Sequence, residues 1–413
     1  MGLLNQTTER GSRTRTRAAA VLCAALMVAA TGCGNTVSGT ATSSQPSGSA
    51  ASTPASAQPD PGNFPTKPRP PLGAANTPFV GRLLDAQRMA GYVTGPWEVD
   101  PALIEAFPPQ AVVIKNADAV GIFMDKDVAV AAGRHDFVNG FHTSRQIAGL
   151  TRSLRNAVLR FADPAAASAA ATDFAQLQQA QPVSGATRTV VPIPGHPDAL
   201  TSSYPFTDAA SHKERANITS FTPHGTFVLV QIAQSFNGLD DAVGLVAKTL
   251  DLQIPLIDQF TPTPVADFPT LPLDPSGLLA RTIPTSEKDA TVNLNATYDR
   301  RGSLQFQSDS ARSAQLFADT GMDLSISAKT NVYQATDAAG ASKIVDDFAA
   351  QISALGHPED PVPGVAGSKC INLASSGIYC VAPAGRYAIE VNTGQRTEVH
   401  QLLAAQYLML TAT

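Results

Sequence analysis

The chain has 413 residues, of which 43% are hydrophobic and 15% charged, and its 29 basic and 34 acidic residues give a net charge of −5. Nucleic-acid binding needs a basic stripe along one surface, and beyond the first 17 residues the lysines and arginines are dispersed. The composition therefore excludes a nucleic-acid partner. The length predicts two domains or one long duplicated domain.

The N-terminus has the order of a bacterial signal peptide, with a charged region followed by an apolar one. Four arginines precede the apolar segment 18–30, namely Arg10, Arg13, Arg15 and Arg17. That segment is shorter than the ~20 apolar residues that span a bilayer. It ends in Ala30-Thr31-Gly32-Cys33, which resembles the lipobox of bacterial lipoproteins. An ordinary cleaved signal peptide is the alternative, because Ala30 stands where lipoboxes more often carry leucine.

The lipobox resemblance implies a lipid anchor at Cys33. In lipoproteins the thiol of this cysteine is alkylated by diacylglycerol, and cleavage then leaves it as the acylated N-terminus. We therefore expect residues 1–32 to be a lipoprotein signal peptide. The mature protein, with 25 basic and 33 acidic residues, is then anchored to the outer face of the cytoplasmic membrane, in the cell envelope.

A low-complexity segment follows the lipobox. Between Gly34 and Pro59 there is no charged or aromatic residue, and Ala, Ser, Thr, Pro and Gly dominate. Such a composition cannot bury enough apolar surface to fold. We expect residues 33–78 to form a disordered tether that separates the folded part from the membrane.

Two cysteines remain beyond Cys33, namely Cys370 and Cys380. An exported protein with one even pair is most simply interpreted as carrying one disulfide. The midpoint of the pair is Ser375, so a hairpin with an odd-numbered loop would place the two cysteines opposite each other. A structural zinc site is the weaker alternative, because it needs four ligands in close-set pairs and no histidine is near in sequence.

An internal repeat organises the rest of the chain. Asp163–Phe174 corresponds to Asp337–Phe348, and both segments look like helix starts with an aspartate as N-cap. Three further pairs of blocks agree in the same order: Pro192–Gly195 with Pro361–Gly364, Phe227–Gln231 with Tyr387–Val391, and Val243–Ala247 with Val399–Leu403. Each copy then reads as a strand, a helix, two or three antiparallel strands and a closing helix.

This order predicts an α+β fold of two pseudo-repeated halves, each an antiparallel sheet with helices packed on one face. The first domain is expected over residues 79–262, with 79–150 as an extension in front of repeat copy one. The second domain is expected over residues 263–413 and contains the disulfide hairpin. The proline-rich run 260–275 forms the boundary between them.

Catalytic signatures are absent from the sequence. There is no Gly-x-Ser-x-Gly, Ser-x-x-Lys or His-Glu-x-x-His motif, and the seven histidines are scattered singly. Arg134-His135-Asp136 is the most reactive-looking cluster, but adjacent residues of an extended segment point to opposite faces. The sequence therefore predicts no catalytic residue, no cofactor and no metal site.

A family resemblance rests on several motifs together with the lipobox and the tether. These are Arg88–Val93 before Val99-Asp100-Pro101, then Phe137–Phe141, and Leu159-Arg160-Phe161 before an Ala-rich helix. The combination resembles uncharacterised exported lipoproteins of mycobacteria and related actinomycetes. The resemblance implies a location and an architecture, and it carries no activity.

Three functions remain open at this point. The first is a non-enzymatic, membrane-anchored module that binds a wall component, a lipid or another exported protein. The second is a carrier of lipid or another apolar ligand, which would need an apolar pocket of several hundred Å³. The third is a hydrolase whose catalytic residues come from distant parts of the chain.

Overall fold

The computed structural model describes residues 58–183, 185–209 and 211–412. The predicted signal peptide, Cys33 and the expected tether as far as residue 57 lie outside the described residues. Within these ranges, no helix combines the length and the apolar character that crossing a bilayer requires.

The first half of the structure contains a six-stranded antiparallel sheet in the order β1-β2-β3-β6-β5-β4. Its strands are β1 (Glu105–Ile114), β2 (Phe137–Gln146), β3 (Arg152–Phe161), β4 (Leu200–Thr207), β5 (Glu214–His224) and β6 (Phe227–Ser235). Its helices are α1 (Pro78–Met89), α2 (Pro96–Val99), α3 (Lys126–Arg134), α4 (Pro164–Ala180) and α5 (Leu239–Ile257).

The second half contains a seven-stranded antiparallel sheet in the order β10-β11-β12-β13-β9-β8-β7. Its strands are β7 (Ala296–Asp299), β8 (Leu324–Ser327), β9 (Asn331–Gln334), β10 (His357–Glu359), β11 (Lys369–Asn372), β12 (Ile378–Ala384) and β13 (Tyr387–Thr393). Its helices are α6 (Arg300–Leu304), α7 (Ser310–Asp319), α8 (Ala338–Ser353) and α9 (Arg396–Thr411).

Both predicted N-caps are confirmed, and they start equivalent helices. The Asp163 carboxylate accepts a hydrogen bond from the Ala166 N–H (2.8 Å), and the Asp337 carboxylate accepts one from the Gly340 N–H (2.8 Å). Each bond satisfies a backbone donor that has no partner inside the helix. The α+β class and the two antiparallel sheets are confirmed as well.

The duplication is more extensive than the sequence blocks indicated. The order β3-β6-β5-β4 in the first sheet is repeated as β9-β13-β12-β11 in the second, and β1-β2 are repeated as β7-β8. The helix α3 between β1 and β2 corresponds to α6 and α7 between β7 and β8. Residues 105–150 are thus part of the repeat, and our expectation of a separate extension does not hold for them.

Helices cover both faces of each sheet, where we expected them on one. In the first sheet, Val158 packs in the core beneath α1 and α5, while its neighbour Leu159 packs in the core beneath α3 and α4. In the second sheet, Ile389 packs in the core of α9 and Ala388 in that of α8. The cause is that these central strands carry apolar side chains on both faces, so each face has to be buried.

The last part of the expected tether is ordered. Phe64 and Leu72 pack against the apolar core of the second half. The Arg69 N–H donates to the Ala280 carbonyl (2.9 Å), and the Arg69 guanidinium donates to the Leu279 carbonyl (2.7 Å). The expectation of disorder therefore does not hold for residues 58–77. These contacts are with residues some 200 positions away, which composition alone does not reveal.

The predicted disulfide is present in the second sheet. Cys370 on β11 and Cys380 on β12 lie directly opposite each other in the strand register, and their sulfurs are bonded. Both cysteines are buried within the core that α9 covers. The bond therefore closes the hairpin between β11 and β12 inside the protein.

Removing this bond tests its contribution to stability. We expect the double substitution Cys370→Ala/Cys380→Ala to lower the free energy of unfolding by about 2–3 kcal/mol, because a closed loop of this length restricts the unfolded chain. Urea unfolding followed by circular dichroism measures the change. Reductant should lower the stability of the wild type and leave the double variant unchanged. Equal stability of oxidised and fully reduced wild type would contradict this role.

Candidate binding site at the junction of the two halves

A buried carboxylate fixes the helix that forms one wall of the junction. Asp85 on α1 is fully buried. It accepts hydrogen bonds from the Arg160 guanidinium (2.8 Å), the Asn139 amide (3.0 Å), the Thr263 N–H (3.0 Å) and the Arg88 guanidinium (3.2 Å). A buried charge is tolerated when it is paired and hydrogen-bonded in this way. Asp85 thus ties α1 to the first sheet and to the linker that leaves α5.

The linker can lie close to α1 because Gly81 has no side chain. A Cβ at Gly81 would lie 2.0 Å from the Phe268 carbonyl oxygen, and Phe268 itself is fully buried. Any other residue at position 81 would force this segment away from α1. The linker after Phe268 then runs on past α1 to Ser276, towards the second half.

An apolar cavity of about 370 Å³ lies between α1, the linker and the edge of the second sheet. We call it the junction cavity. It is lined by Leu84, Gln87, Arg88, Tyr92, Leu271, Pro272, Leu273, Pro275, Ser276, Thr297, Asp299 and Leu324. Leucines and prolines make up half of these lining residues. Two charged groups, Arg88 and Asp299, also line the cavity, and the Arg88 side chain is 47% exposed.

Hydrogen bonds between the halves fix the shape of the junction. The Gln87 amide donates to the Val292 carbonyl (2.9 Å). The Asn293 amide donates to the Ala111 carbonyl (2.9 Å), and its oxygen accepts from the Val113 N–H (3.0 Å). The Asp299 carboxylate is committed to the start of α6, where it accepts from the Gly302 N–H (2.7 Å).

A buried arginine joins the halves next to these contacts. Arg145 on β2 is fully buried, and its guanidinium donates to the carbonyls of Gln305 (3.0 Å) and Gln307 (3.1 Å) and to the Ser310 hydroxyl (3.1 Å). Within the described ranges, no carboxylate lies within ion-pair distance of it. Burial lowers the pKa of Arg145 to about 10, so it remains charged at neutral pH.

The chemistry of the junction cavity suits binding. Its hydroxyl-bearing lining residues are Tyr92, Ser276 and Thr297, and the Ser276 hydroxyl donates to the Asp274 carboxylate (3.1 Å). No histidine or cysteine is among its lining residues in the described part of the chain. The base that most often activates a hydroxyl nucleophile is histidine, and the described residues that line this cavity supply none.

The cluster Arg134-His135-Asp136 does not assemble as a triad. The His135 ring and the Arg134 guanidinium both contact the Asp173 carboxylate on α4, at 3.1 and 3.2 Å. Two other histidines also pair with aspartates: His196 with Asp251 (2.9 Å) and His224 with Asp258 (2.6 Å). In the hydrogen bonds that the structure describes, none of these rings contacts a serine or cysteine, so these pairs link surface elements.

The cysteine pair has a histidine nearby that the sequence spacing concealed. A ring nitrogen of His400 on α9 and the two sulfurs of Cys370 and Cys380 all lie within 4.8 Å of one another. The sulfurs are bonded to each other, so neither is a free thiolate. A structural zinc site needs four ligand atoms, and this group in its oxidised form offers one.

The junction cavity was missed by the sequence analysis. Leu84, Arg88 and Tyr92 follow one another at helical spacing, but the apolar pattern of α1 is too weak to distinguish a cavity wall from an ordinary surface. The opposite wall, residues 271–276, was interpreted as a domain boundary because of its prolines. Nothing local in either segment indicates that they meet.

Comparisons with known proteins identify the two halves. The model of the N-terminal domain of unknown function DUF7373 matches residues 72–273, and the model of its C-terminal domain matches residues 278–413. A search of curated proteins found no match. Among solved structures, the extracellular domain of PknH from Mycobacterium tuberculosis matches at 13% identity and a TM-score of 0.28, over 45% of this chain and 100% of that one. A TM-score this low supports no argument.

A buried histidine in the first sheet makes the stability of the protein sensitive to acid. His142 on β2 is fully buried, neither ring nitrogen has a hydrogen-bond partner among the described atoms, and its ring stacks on Phe123 at 4.4 Å. Burial, with a smaller effect of the Arg155 charge, lowers the pKa of His142 from 6.5 to about 3. The unfolded chain therefore takes up a proton below pH 6.5 that the folded protein does not take up until near pH 3.

Because the unfolded chain takes up this proton at a higher pH than the folded protein, we expect the free energy of unfolding to fall by about 2 kcal/mol between pH 7 and pH 5. Urea unfolding at the two pH values measures it. The substitution His142→Phe should remove this part of the pH dependence, whereas His357→Phe, at an exposed site, should leave it unchanged. The same pH dependence in wild type and His142→Phe would contradict the assignment.

Proposed function

The chain belongs to the DUF7373 family of unknown function, and on this premise we propose that it is a non-enzymatic binding module of the cell envelope that holds the acyl part of a lipid in the junction cavity. The family sets the architecture and assigns no activity. The proposal therefore depends on the chemistry of the site.

The apolar lining of the junction cavity is the observation that carries the proposal. Its volume of about 370 Å³ lies within the range of sites that bind small molecules. Leu84, Leu271, Leu273 and Leu324 present hydrocarbon to its interior. Covering such a surface with an alkyl chain is favourable by roughly 25 cal/mol per Å² removed from water.

The two charged lining groups favour an amphipathic ligand over a pure hydrocarbon. Arg88 keeps its guanidinium partly exposed while it is bonded to Asp85 and to the Thr263 hydroxyl (2.8 Å). An arginine has five N–H donors, so this side chain can still donate to an oxygen of a ligand. A polar headgroup then lies at Arg88 and the chain lies among the leucines.

The resemblance of Ala30-Thr31-Gly32-Cys33 to a lipobox supports a location in which such ligands are abundant. A lipid at Cys33 would hold the folded part at the outer face of the cytoplasmic membrane. The resemblance to exported lipoproteins of mycobacteria and related actinomycetes points to the same place. A binding module fixed there contacts membrane lipids without having to diffuse to them.

Filling the cavity tests the proposal. The substitution Leu84→Trp places a larger side chain in the wall of the junction cavity, where it should lower the affinity for a fluorescent long-chain fatty acid by at least tenfold. Leu355 is 72% exposed, so Leu355→Trp is the matched control and should bind as the wild type does. Fluorescence titration measures both, and circular dichroism verifies that the variants are folded.

Two outcomes would overturn the proposal. One is a wild type that binds no fatty acid at concentrations where the probe is still monomeric. The other is a folded Leu84→Trp variant that binds as tightly as Leu355→Trp, because the ligand would then lie elsewhere.

A further inference from the structure

The face of the first sheet that α4 covers changes from apolar to polar along its strands. One row of residues, paired across five strands, consists of His142, Ala157, Val230, Phe221 and Leu200. Apolar residues of this row pack against Phe174 and the alanines of α4. Residues that oppose each other in antiparallel strands share a face, so the following rows continue the same surface.

The next two rows on this face are polar except for Ile232. The first consists of Ser144, Arg155, Ile232, Thr219 and Ser202, and the second of Gln146, Ser153, Gln234, Asn217 and Tyr204. Hydroxyl and amide groups thus form the floor. The buried members, such as Thr219 and Asn217, lie among half-buried larger side chains, such as Arg155, Gln234 and Tyr204. We call these ten residues the polar face.

Arginines stand at three places around the polar face, each beside an aromatic ring. The Arg155 guanidinium lies 4.4 Å from the centre of the Phe107 ring, and that of Arg188 lies 4.5 Å from the centre of the Tyr204 ring. Arg188 also donates to the Ser202 hydroxyl (3.3 Å). Arg215, opposite Phe206 in the next row, lies 5.4 Å from that ring.

The charge of these arginines is not balanced by ion pairs. In residues 58–183, 185–209 and 211–412, the ion pairs include Arg152, Arg160, Arg301 and Arg312 but none of these three arginines. Their neighbours are carbonyls, hydroxyls and aromatic rings, which leave the positive charge uncompensated. Guanidinium groups in this state are suited to carboxylate and phosphate oxygens.

We infer that the polar face binds an anionic oligosaccharide, that is, a sugar chain carrying carboxylate or phosphate groups. The arginines recognise the oxyanions, and the half-buried side chains of Gln146, Gln234 and Tyr204 recognise the sugar hydroxyls. Ser202 marks the place of Arg188, which donates to its hydroxyl. Arg155 and Ser202 are three strand spacings apart, or about 14 Å, so a ligand that reaches both arginines has to be extended and to carry more than one charge.

This site lies on the opposite face of the sheet from α1 and the junction cavity, and the inference does not depend on the proposed function. A failure of fatty-acid binding would leave it intact. Its own test uses sugar and peptide probes that have no acyl chain.

Three probes distinguish the possible occupants in isothermal titration calorimetry on the chain from residue 33 onwards. Tetragalacturonate carries both hydroxyls and carboxylates, maltotetraose carries hydroxyls alone, and tetraglutamate carries carboxylates on a peptide. We expect tetragalacturonate to bind at least tenfold more tightly than either of the others. Equal binding of tetraglutamate, or no binding of tetragalacturonate, would overturn the inference.

A near-isosteric substitution locates the site. Gln234→Glu keeps the shape of the floor and adds a negative charge between the arginines, so it should weaken tetragalacturonate binding at least tenfold. Gln176→Glu on α4, at an exposed position, makes the same chemical change away from the face and should bind as the wild type does. Arg188→Gln supplies a second variant if Gln234→Glu fails to fold. Unchanged affinity in a folded Gln234→Glu or Arg188→Gln variant would place the ligand elsewhere and overturn the inference.

Discussion

The buried guanidinium of Arg145 is the interaction on which the arrangement of the two halves depends. Arg145 belongs to the first sheet, and its guanidinium donates to the segment of the second half that follows α6. Among the described residues, no carboxylate pairs with it. A buried charge of this kind is tolerated because both terminal nitrogens of the guanidinium donate hydrogen bonds, while Nε has no partner among the described atoms. Moving the halves apart would break several of these bonds at once, so the junction is fixed.

The same junction is secured from the opposite direction by Gln305. The side-chain amide of Gln305 donates to the Val93 carbonyl (2.7 Å), and the backbone carbonyl of Gln305 accepts from the Arg145 guanidinium. Arg301 adds a bond to the Gly91 carbonyl (3.0 Å) and an ion pair with Glu98 (2.9 Å). Because these contacts hold α1 and the second sheet in place, the junction cavity has fixed walls, and its apolar lining remains without a protein side chain to fill it.

Local signals in the sequence were reliable, and long-range ones were not. Asp163 and Asp337 predict helix starts because an N-cap is determined by residues within one turn, and the Cys370–Cys380 pair is determined by a single hairpin. The second helical layer was missed because a strand with apolar residues on both faces, such as the one around Val158 and Leu159, was not distinguished from a strand buried on one face. Residues 105–114 were placed in an extension in front of the repeat, yet β1 runs through Pro108-Pro109 at the edge of the first sheet.

The candidate sites were beyond the sequence for a related reason. The walls of the junction cavity come from α1 and from residues about 190 positions later, and no periodicity connects them. The polar face arises from strand pairing, which brings Arg155 into one row with Thr219 and Ser202. The apolar cavity beside α1 and the arginines without ion pairs on the opposite face of the first sheet are the features on which the two proposals rest.

Native mass spectrometry can be applied to the full-length protein, expressed in an actinobacterial host and extracted from its membranes in mild detergent, to detect both the anchor and the bound ligand. We expect a chain that begins at an acylated Cys33 and carries one additional, non-covalently bound lipid, which is lost from the Leu84→Trp variant. A protein with a different N-terminus and no acyl group would contradict the anchor. A lipidated protein that carries no bound lipid, or carries the same lipid in both variants, would contradict the proposed role of the junction cavity.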